Sequence, residues 1–146
     1  MRLLIVGILS LLINACWDQD EVIAIDNNGH MKWLVIAKPD WELVGVEGVK
    51  SDLSSYSAQM QRAGWIVRTK GSVVKDENIV LGLSGSLQKV GKMTDFYKIH
   101  SVNQSQVAIE FLCPIVDNAR VYRSIKFKGS SSESVECGSG VQTIQF

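Results

Sequence analysis

Alternation of apolar and polar residues predicts a β-hairpin near the start of the folded part of the chain. Two β-type runs, 21–25 and 30–37, flank an Asp-Asn-Asn-Gly turn. Asn-Gly is a strong hairpin signal because both residues tolerate positive φ in a type I′ turn. With the Asn-Gly pair as the two turn residues, Ala24 is expected to face Trp33, a small side chain opposite a large one.

One helix is predicted over residues 51–63. Ser51 is a suitable N-cap, and Gly64 suits the left-handed position that follows a helix. Between them, apolar residues recur at steps of three and four, which places them on one helical face. These residues are Leu53, Tyr56, Met60 and Ala63.

The rest of the chain predicts strands separated by short polar breaks. The runs cover residues 65–70, 79–83, 95–102, 107–113, 120–127 and 141–146. Their spacing is typical of an antiparallel meander. The expected fold class is therefore α+β: an antiparallel sheet, made of a hairpin plus a meander, with one face covered by the helix around residues 51–63.

The first fifteen residues have a different character. Arg2 gives a short positive head, residues 3–13 are almost wholly apolar, and the chain turns polar and acidic after Trp17. This order is typical of a secretory signal peptide. The apolar run is about half of the ~20 residues that a membrane-spanning helix needs, which makes an uncleaved membrane helix the weaker interpretation.

The sequence Ile13-Asn14-Ala15-Cys16 resembles the lipobox of bacterial lipoproteins. The resemblance covers residues 1–16 only, and it departs from the usual motif at Ile13 and Asn14. It implies cleavage before Cys16 and attachment of fatty acyl chains, such as palmitate, to that cysteine. The alternative is an ordinary cleaved signal peptide followed by an unmodified cysteine.

This resemblance sets the expected organisation and location. Residues 1–15 would be the signal peptide, residues 16–21 the lipidated cysteine with a short tether, and residues 22–146 a single globular α+β domain. The membrane would be bound through the acyl chains on Cys16. Trp17 stands where such lipoproteins carry an aspartate when they stay in the inner membrane, so the resemblance implies the outer membrane, facing the periplasm.

The cysteine count fits the same interpretation. The chain has three cysteines, an odd number for an exported protein. If Cys16 carries lipid, Cys113 and Cys137 remain as a pair in an oxidising compartment, and a disulfide between them is expected. The alternative is two unrelated buried thiols.

Charge and composition exclude some classes of partner. Basic and acidic residues balance at 15 each, so the basic excess of a nucleic-acid-binding protein is absent. Apolar residues make up 46% of the chain, which is enough to build a core and argues against disorder.

No catalytic, metal or cofactor motif is recognisable. His30 and His100 lack ligand spacing with each other or with a cysteine, so no metal site is expected. Ser84 lies in Gly-Leu-Ser-Gly-Ser, which lacks the last glycine of a nucleophile elbow.

Trp41 stands in a polar stretch, where it either forms an exposed contact surface or folds back over the sheet edge.

The leading hypothesis is therefore a non-enzymatic envelope lipoprotein that binds another protein, as an assembly or accessory subunit. An immunity, inhibitor or exclusion lipoprotein is a second possibility with the same sequence features. A periplasmic hydrolase or small-ligand binder that uses His100 and Ser84 is the third.

Overall fold

A computed structural model describes residues 15–116, 119–128 and 134–146. All of the predicted signal peptide except Ala15 lies outside these residues, so the structure does not bear on it. The described chain has the predicted α+β class, with one helix and ten strands. No helix among the described residues is both long enough and apolar enough to cross a membrane.

The elements follow one another with short connections. They are β1 (Ala15–Ile25), β2 (His30–Lys38), α1 (Trp41–Arg62), β3 (Ile66–Lys70), β4 (Ile79–Ser86), β5 (Tyr97–Val102), β6 (Gln106–Phe111), β7 (Ile115–Val116), β8 (Ala119–Phe127), β9 (Val135–Glu136) and β10 (Val141–Gln145).

The strands form two sheets. The large sheet has the order β3-β4-β2-β1-β8-β7, with β9 also paired to β8, and the small sheet has the order β10-β6-β5. Most pairs are antiparallel, but β1 and β8 run parallel. The prediction of one antiparallel meander is therefore wrong at the centre of the large sheet, where a late strand returns beside the first one.

The predicted tether at residues 16–21 is also wrong, because these residues form the first half of β1. Trp17, Gln19 and Glu21 alternate on the buried side, and Trp17 is only 5% exposed. Asp18 and Asp20 take the intervening exposed positions, which gave the segment its polar character. Trp17 therefore belongs to the core.

The hairpin between β1 and β2 forms, but its register differs from the expected one by one residue. Ile23, and not Ala24, lies opposite Trp33. Only Gly29 of the turn has a positive φ, of 73°, and the Asp26 N–H donates to the His30 carbonyl at 3.0 Å. This is a three-residue turn ending in a left-handed glycine, and its extra residue shifts the pairing.

The Asp26 side chain stabilises this turn. Its Oδ1 accepts hydrogen bonds from the His30 N–H at 3.0 Å and from the Asn28 N–H at 2.9 Å. These two bonds hold the pKa of Asp26 below its usual value.

The helix is longer than predicted. It starts at Trp41, and its N-cap is Asp40, whose side chain accepts from the Leu43 N–H at 3.3 Å; Ser51 lies inside the helix. Gly45 interrupts it with a φ of 73°, so α1 is two helical segments joined at a kink. The predicted end is confirmed, because Gly64 follows with a φ of 95°.

The core lies between the large sheet on one side and α1 with the small sheet on the other. Trp33, at the centre of the large sheet, packs edge-on against Phe111 of the small sheet, with ring centroids 6.4 Å apart. Leu53 and Tyr56 of the helix lie over Val35 and Leu81 of the large sheet, around a small void. The opposite side of the large sheet, called the outer face below, carries no described element.

Candidate functional site

The outer face of the large sheet exposes apolar side chains on five neighbouring strands. Each of them is 36–49% exposed, which is high for a large apolar residue in a strand. The five residues are Val22 of β1, Leu34 of β2, Ile66 of β3, Val80 of β4 and Tyr122 of β8.

The strand register shows how these side chains are arranged. Val22 lies directly opposite Leu34, which lies opposite Gly82. Residues directly opposite each other in adjacent strands project from the same face of the sheet. Val22 and Leu34 therefore form an apolar pair within a row across the outer face, which continues to Lys126 of β8 beside Val22.

A groove crosses the outer face at this row. Its volume is about 590 Å³, within the range of about 300–1,000 Å³ that is common for ligand sites. The small residues Ala24, Gly82 and Ser84 lie beside the larger Val22 and Leu34 and leave the depression between the strands. We call this depression the outer groove.

The charged residues that line the outer groove are all basic. Lys32, Arg68 and Lys128 contribute side chains, His30 lies at the same end, and no aspartate or glutamate is among the described residues that line the groove. The Asp26 carboxylate in the turn beside His30 interacts electrostatically with Lys32, and the ion pairs among the described residues join other groups. The groove therefore combines an apolar floor with positive charge.

Arg68 is held in position by a hydrogen bond. Its Nε donates to the Ser84 Oγ at 2.9 Å, and the β3–β4 pairing is irregular between Val67 and Thr69, at the position of Arg68. A bulge of this kind redirects a side chain. Ser84 is consequently buried beneath the Arg68 side chain and already accepts a hydrogen bond.

A second polar cluster lies inside the core. Arg123 of β8 donates from Nε to Glu21 Oε2 at 2.6 Å and from Nη2 to Glu21 Oε1 at 2.8 Å. Both side chains are completely buried. Trp33 Nε1 donates to the same carboxylate at 2.8 Å, and Gln19 Nε2 donates at 3.3 Å.

The guanidinium of Arg123 also reaches two backbone carbonyls. Its Nη1 donates to the Leu112 carbonyl at 2.9 Å and to the Phe96 carbonyl. The rings of Trp33, Phe96 and Phe111 lie 5.6–5.7 Å from its Cζ. Phe96 and Leu112 flank the small sheet, so this one side chain connects both sheets.

The charge state of this pair follows from its contacts. Burial acts to lower the pKa of Arg123, but the adjacent Glu21 carboxylate outweighs it, and the pKa is raised. The carboxylate accepts four hydrogen bonds, and its side chain is fully buried. We therefore assign the pair a structural role, as a cluster that fixes the arrangement of the core.

The predicted disulfide is confirmed. Cys113 and Cys137 are bonded, with their Cα atoms 5.3 Å apart. The bond connects the end of β6 to the segment between β9 and β10. Cys16 is the second residue of β1, opposite Arg120 of β8.

Trp41 is neither fully exposed nor part of a free surface. It is the first residue of α1 and is half-buried against the core. Its neighbour Leu43 is more exposed, at 51%. The structure thus places Trp41 closer to the interpretation in which it folds back than to that of an exposed contact surface.

The residues considered for catalysis are not brought together. Ser84 lies in the large sheet, whereas His100 lies in β5 of the small sheet, 3.0 Å from Glu110 Oε1. Gly85, next to Ser84, is required by packing, because a Cβ there would lie 2.8 Å from Val90 Cγ1. Within the described residues no three potential metal ligands cluster.

Sequence reasoning missed the two main features of the structure. The buried pair had a signal: Arg123 alternates with Val121 and Ile125, and Glu21 alternates with Ile23. A charge at an inward position on each of two strands, with opposite signs, favours a buried ion pair. The outer groove had no such signal, because its residues come from four strands whose pairing was not known.

Comparison with known proteins identifies no relative of this chain. No protein-family model matches the chain, and neither the curated proteins nor the solved structures contain a significant match.

Proposed function

We propose that this protein is a membrane-anchored envelope lipoprotein whose folded domain binds another protein through the outer face. The observation that carries the binding role is the group of exposed apolar residues on that face: Val22 lies opposite Leu34, and Val80 is two residues from Gly82, the other partner of Leu34. An exposed apolar patch on a sheet face that no described element covers is typical of a protein contact.

The composition of the outer face supports this role. Tyr122, 45% exposed, is of a residue type enriched at the energetic centre of interfaces. Charged residues lie between Tyr122 and the other apolar residues of the face: Asp18 is opposite Tyr122, and Asp20 forms an ion pair with Lys38 at 2.5 Å. Specific interfaces combine apolar contacts with polar ones.

The anchor is supported by the cysteines. The disulfide uses Cys113 and Cys137, and the chain has three cysteines in total. Cys16 is then the remaining one, and it follows the lipobox-like Ile-Asn-Ala. Because β1 includes Cys16, a lipid attached there would hold the domain directly against the membrane, with no spacer between them.

Lipidation would suffice as the means of attachment. Removal of residues 1–15 takes away Arg2 and leaves 14 basic against 15 acidic residues. Such a balance provides little attraction to anionic lipids. Two or more acyl chains on one cysteine anchor a protein stably even without attraction to anionic lipids.

Photocrosslinking in the native cell tests the binding role. A benzophenone amino acid replaces Tyr122 on the outer face or, as a control, the exposed Lys50 on α1. We expect a discrete adduct with one envelope protein from position 122 and none from position 50. We also expect Val80→Glu, introduced together with the probe at position 122, to remove that adduct.

Two results would contradict the proposal. One is the absence of any adduct from position 122. The other is the same adduct pattern from positions 122 and 50, because the contact would then not be specific to the outer face. Circular dichroism of each variant establishes that the domain is folded.

A further inference from the structure

The floor of the outer groove offers mainly apolar contacts to a bound molecule. Ala24, Leu34 and Gly82 lie in strands whose backbone groups are paired with neighbours on both sides. The one hydroxyl in the groove, that of Ser84, accepts from Arg68 at 2.9 Å. An occupant would therefore find few hydrogen-bonding groups along the floor.

The cations are concentrated at one end of the groove. Lys32 lies opposite both Ala24 and Ser84, and Ser84 holds Arg68. Lys128 follows the last residue of β8, and its N–H donates to the Ile23 carbonyl at 2.8 Å, beside Ala24. One row across the sheet thus carries three positive charges, while the adjacent row contains the apolar pair Val22 and Leu34, with Lys126 opposite Val22 on β8.

We propose that the outer groove binds a long-chain fatty acid anion. The carboxylate contacts Lys32, Arg68 and Lys128, and the hydrocarbon chain lies over Val22 and Leu34. This small-molecule site goes beyond the proposed function: it shares Val22 and Leu34 with the proposed protein contact, so the two occupants compete there, and it is independent of the lipid anchor. The charged side chains among the described lining residues are all basic and complement a carboxylate.

An acidic peptide fits the same charges less well. A peptide lying in the groove would remove its own N–H and C=O groups from water, and the floor has few partners for them. Each unpaired buried polar group is unfavourable, whereas a methylene chain incurs no such penalty. Apolar surface buried by the chain is favourable in proportion to its area.

Titration with dodecanoate, below its micelle concentration, tests the proposal. The protein is the full chain carrying Cys16→Ser, so that no attached acyl chain competes for the groove. Amide NMR shifts are followed during the titration. We expect saturable changes at Ala24, Leu34 and Gly82.

Two matched comparisons test the role of charge. The pair Lys32→Glu and Lys128→Glu should weaken dodecanoate binding by about tenfold or more, while the exposed pair Lys50→Glu and Lys98→Glu should leave it unchanged. Dodecyltrimethylammonium, which has the same chain length and a positive head, should bind about tenfold more weakly than dodecanoate.

Several outcomes would overturn the assignment. These are no saturable binding of dodecanoate, equal binding of the two amphiphiles, and no effect of the Lys32 and Lys128 substitutions in a variant with unchanged circular dichroism. Tighter binding of a soluble peptide of alternating leucine and glutamate, with the same lysine dependence, would also overturn it and would assign the groove to a protein partner.

Discussion

Arg123 Nε lies 2.6 Å from Glu21 Oε2, and the pair joins residues that are 102 positions apart in the chain. Their strands, β1 and β8, are parallel neighbours at the centre of the large sheet. Since the same guanidinium also holds the carbonyls of Phe96 and Leu112, the pair connects the first strand of the domain to both sheets.

Removing one partner of this pair should be strongly destabilising. Arg123→Met leaves the Glu21 carboxylate buried without its cation, and we expect the free energy of unfolding to fall by about 3–5 kcal/mol. Urea unfolding followed by tryptophan fluorescence measures this change.

The double variant Glu21→Leu and Arg123→Met should be more stable than Arg123→Met alone. An apolar pair of similar volume avoids the buried, unpaired charge. Additive destabilisation in the double variant would show that the two side chains contribute independently, contrary to the geometry.

Two buried tyrosines provide a matched test of hydrogen bonding. The Tyr56 hydroxyl is buried and has no hydrogen-bond partner among the residues that the structure describes. The Tyr97 hydroxyl, in contrast, accepts from Trp65 Nε1 at 2.9 Å and donates to the Gly91 carbonyl at 2.7 Å. Burial raises the pKa of both phenols, so both are neutral at ordinary pH.

We expect Tyr56→Phe to raise the free energy of unfolding by about 1 kcal/mol, because it removes an unsatisfied polar group. Tyr97→Phe should lower the free energy of unfolding by about 1–2 kcal/mol, because Trp65 and Gly91 lose a partner. Equal effects of the two substitutions in thermal unfolding would contradict these assignments.

The alternation of side chains predicted most of the strands and the apolar face of the helix. It did not predict which strands pair, because pairing depends on contacts between residues far apart in the chain. Residues 17–21 show where alternation fails to predict a strand. The exposed Asp18 and Asp20 gave this segment a polar character, but its pairing with β8 makes it a central strand.

In the helix, too, the local N-cap signal at Ser51 did not give the actual start of the helix. Ser51 is a good N-cap residue, yet Asp40 takes that role because Gly45 accommodates a kink that joins two helical segments. The outer groove could not be found from the sequence for a related reason. Ala24, Gly82 and Ser84 are unremarkable in isolation and create a depression only once β1, β2 and β4 are adjacent.

The disulfide should contribute much of the stability of the domain. Cys113 and Cys137 are separated by 24 positions, and a loop of that size corresponds to about 3.5 kcal/mol in the chain-entropy model. We expect Cys113→Ala with Cys137→Ala to lower the free energy of unfolding by about this amount in urea.

Reduction of the wild-type protein serves as the control for that variant. The reduced protein and the double variant should unfold at similar urea concentrations. An unchanged midpoint in both would show that the bond does not stabilise the folded state.

The end of the helix offers a test of backbone strain without steric clash. Gly64 has a φ of 95°, and a Cβ there would lie 3.7 Å from Val90 Cα, an ordinary contact. Gly64→Ala should therefore lower the free energy of unfolding by about 1–2 kcal/mol through the left-handed conformation alone.

Gly91→Ala is the matched control for that substitution. Gly91 lies outside the left-handed region, and its new Cβ would have 3.5 Å contacts with Ala63. We expect a change of about 0 to +1 kcal/mol in the free energy of unfolding. A larger loss from Gly91→Ala than from Gly64→Ala would show that space, and not conformation, limits both positions.

Mass spectrometry of the protein purified from its native membrane tests the central claim most directly. We predict a mature amino terminus at Cys16, with acyl chains on its sulfur and amino group, and release of the protein from the membrane fraction on Cys16→Ser. A mature protein that begins elsewhere, or that carries an unmodified Cys16, would contradict the lipid anchor and with it the proposed envelope lipoprotein.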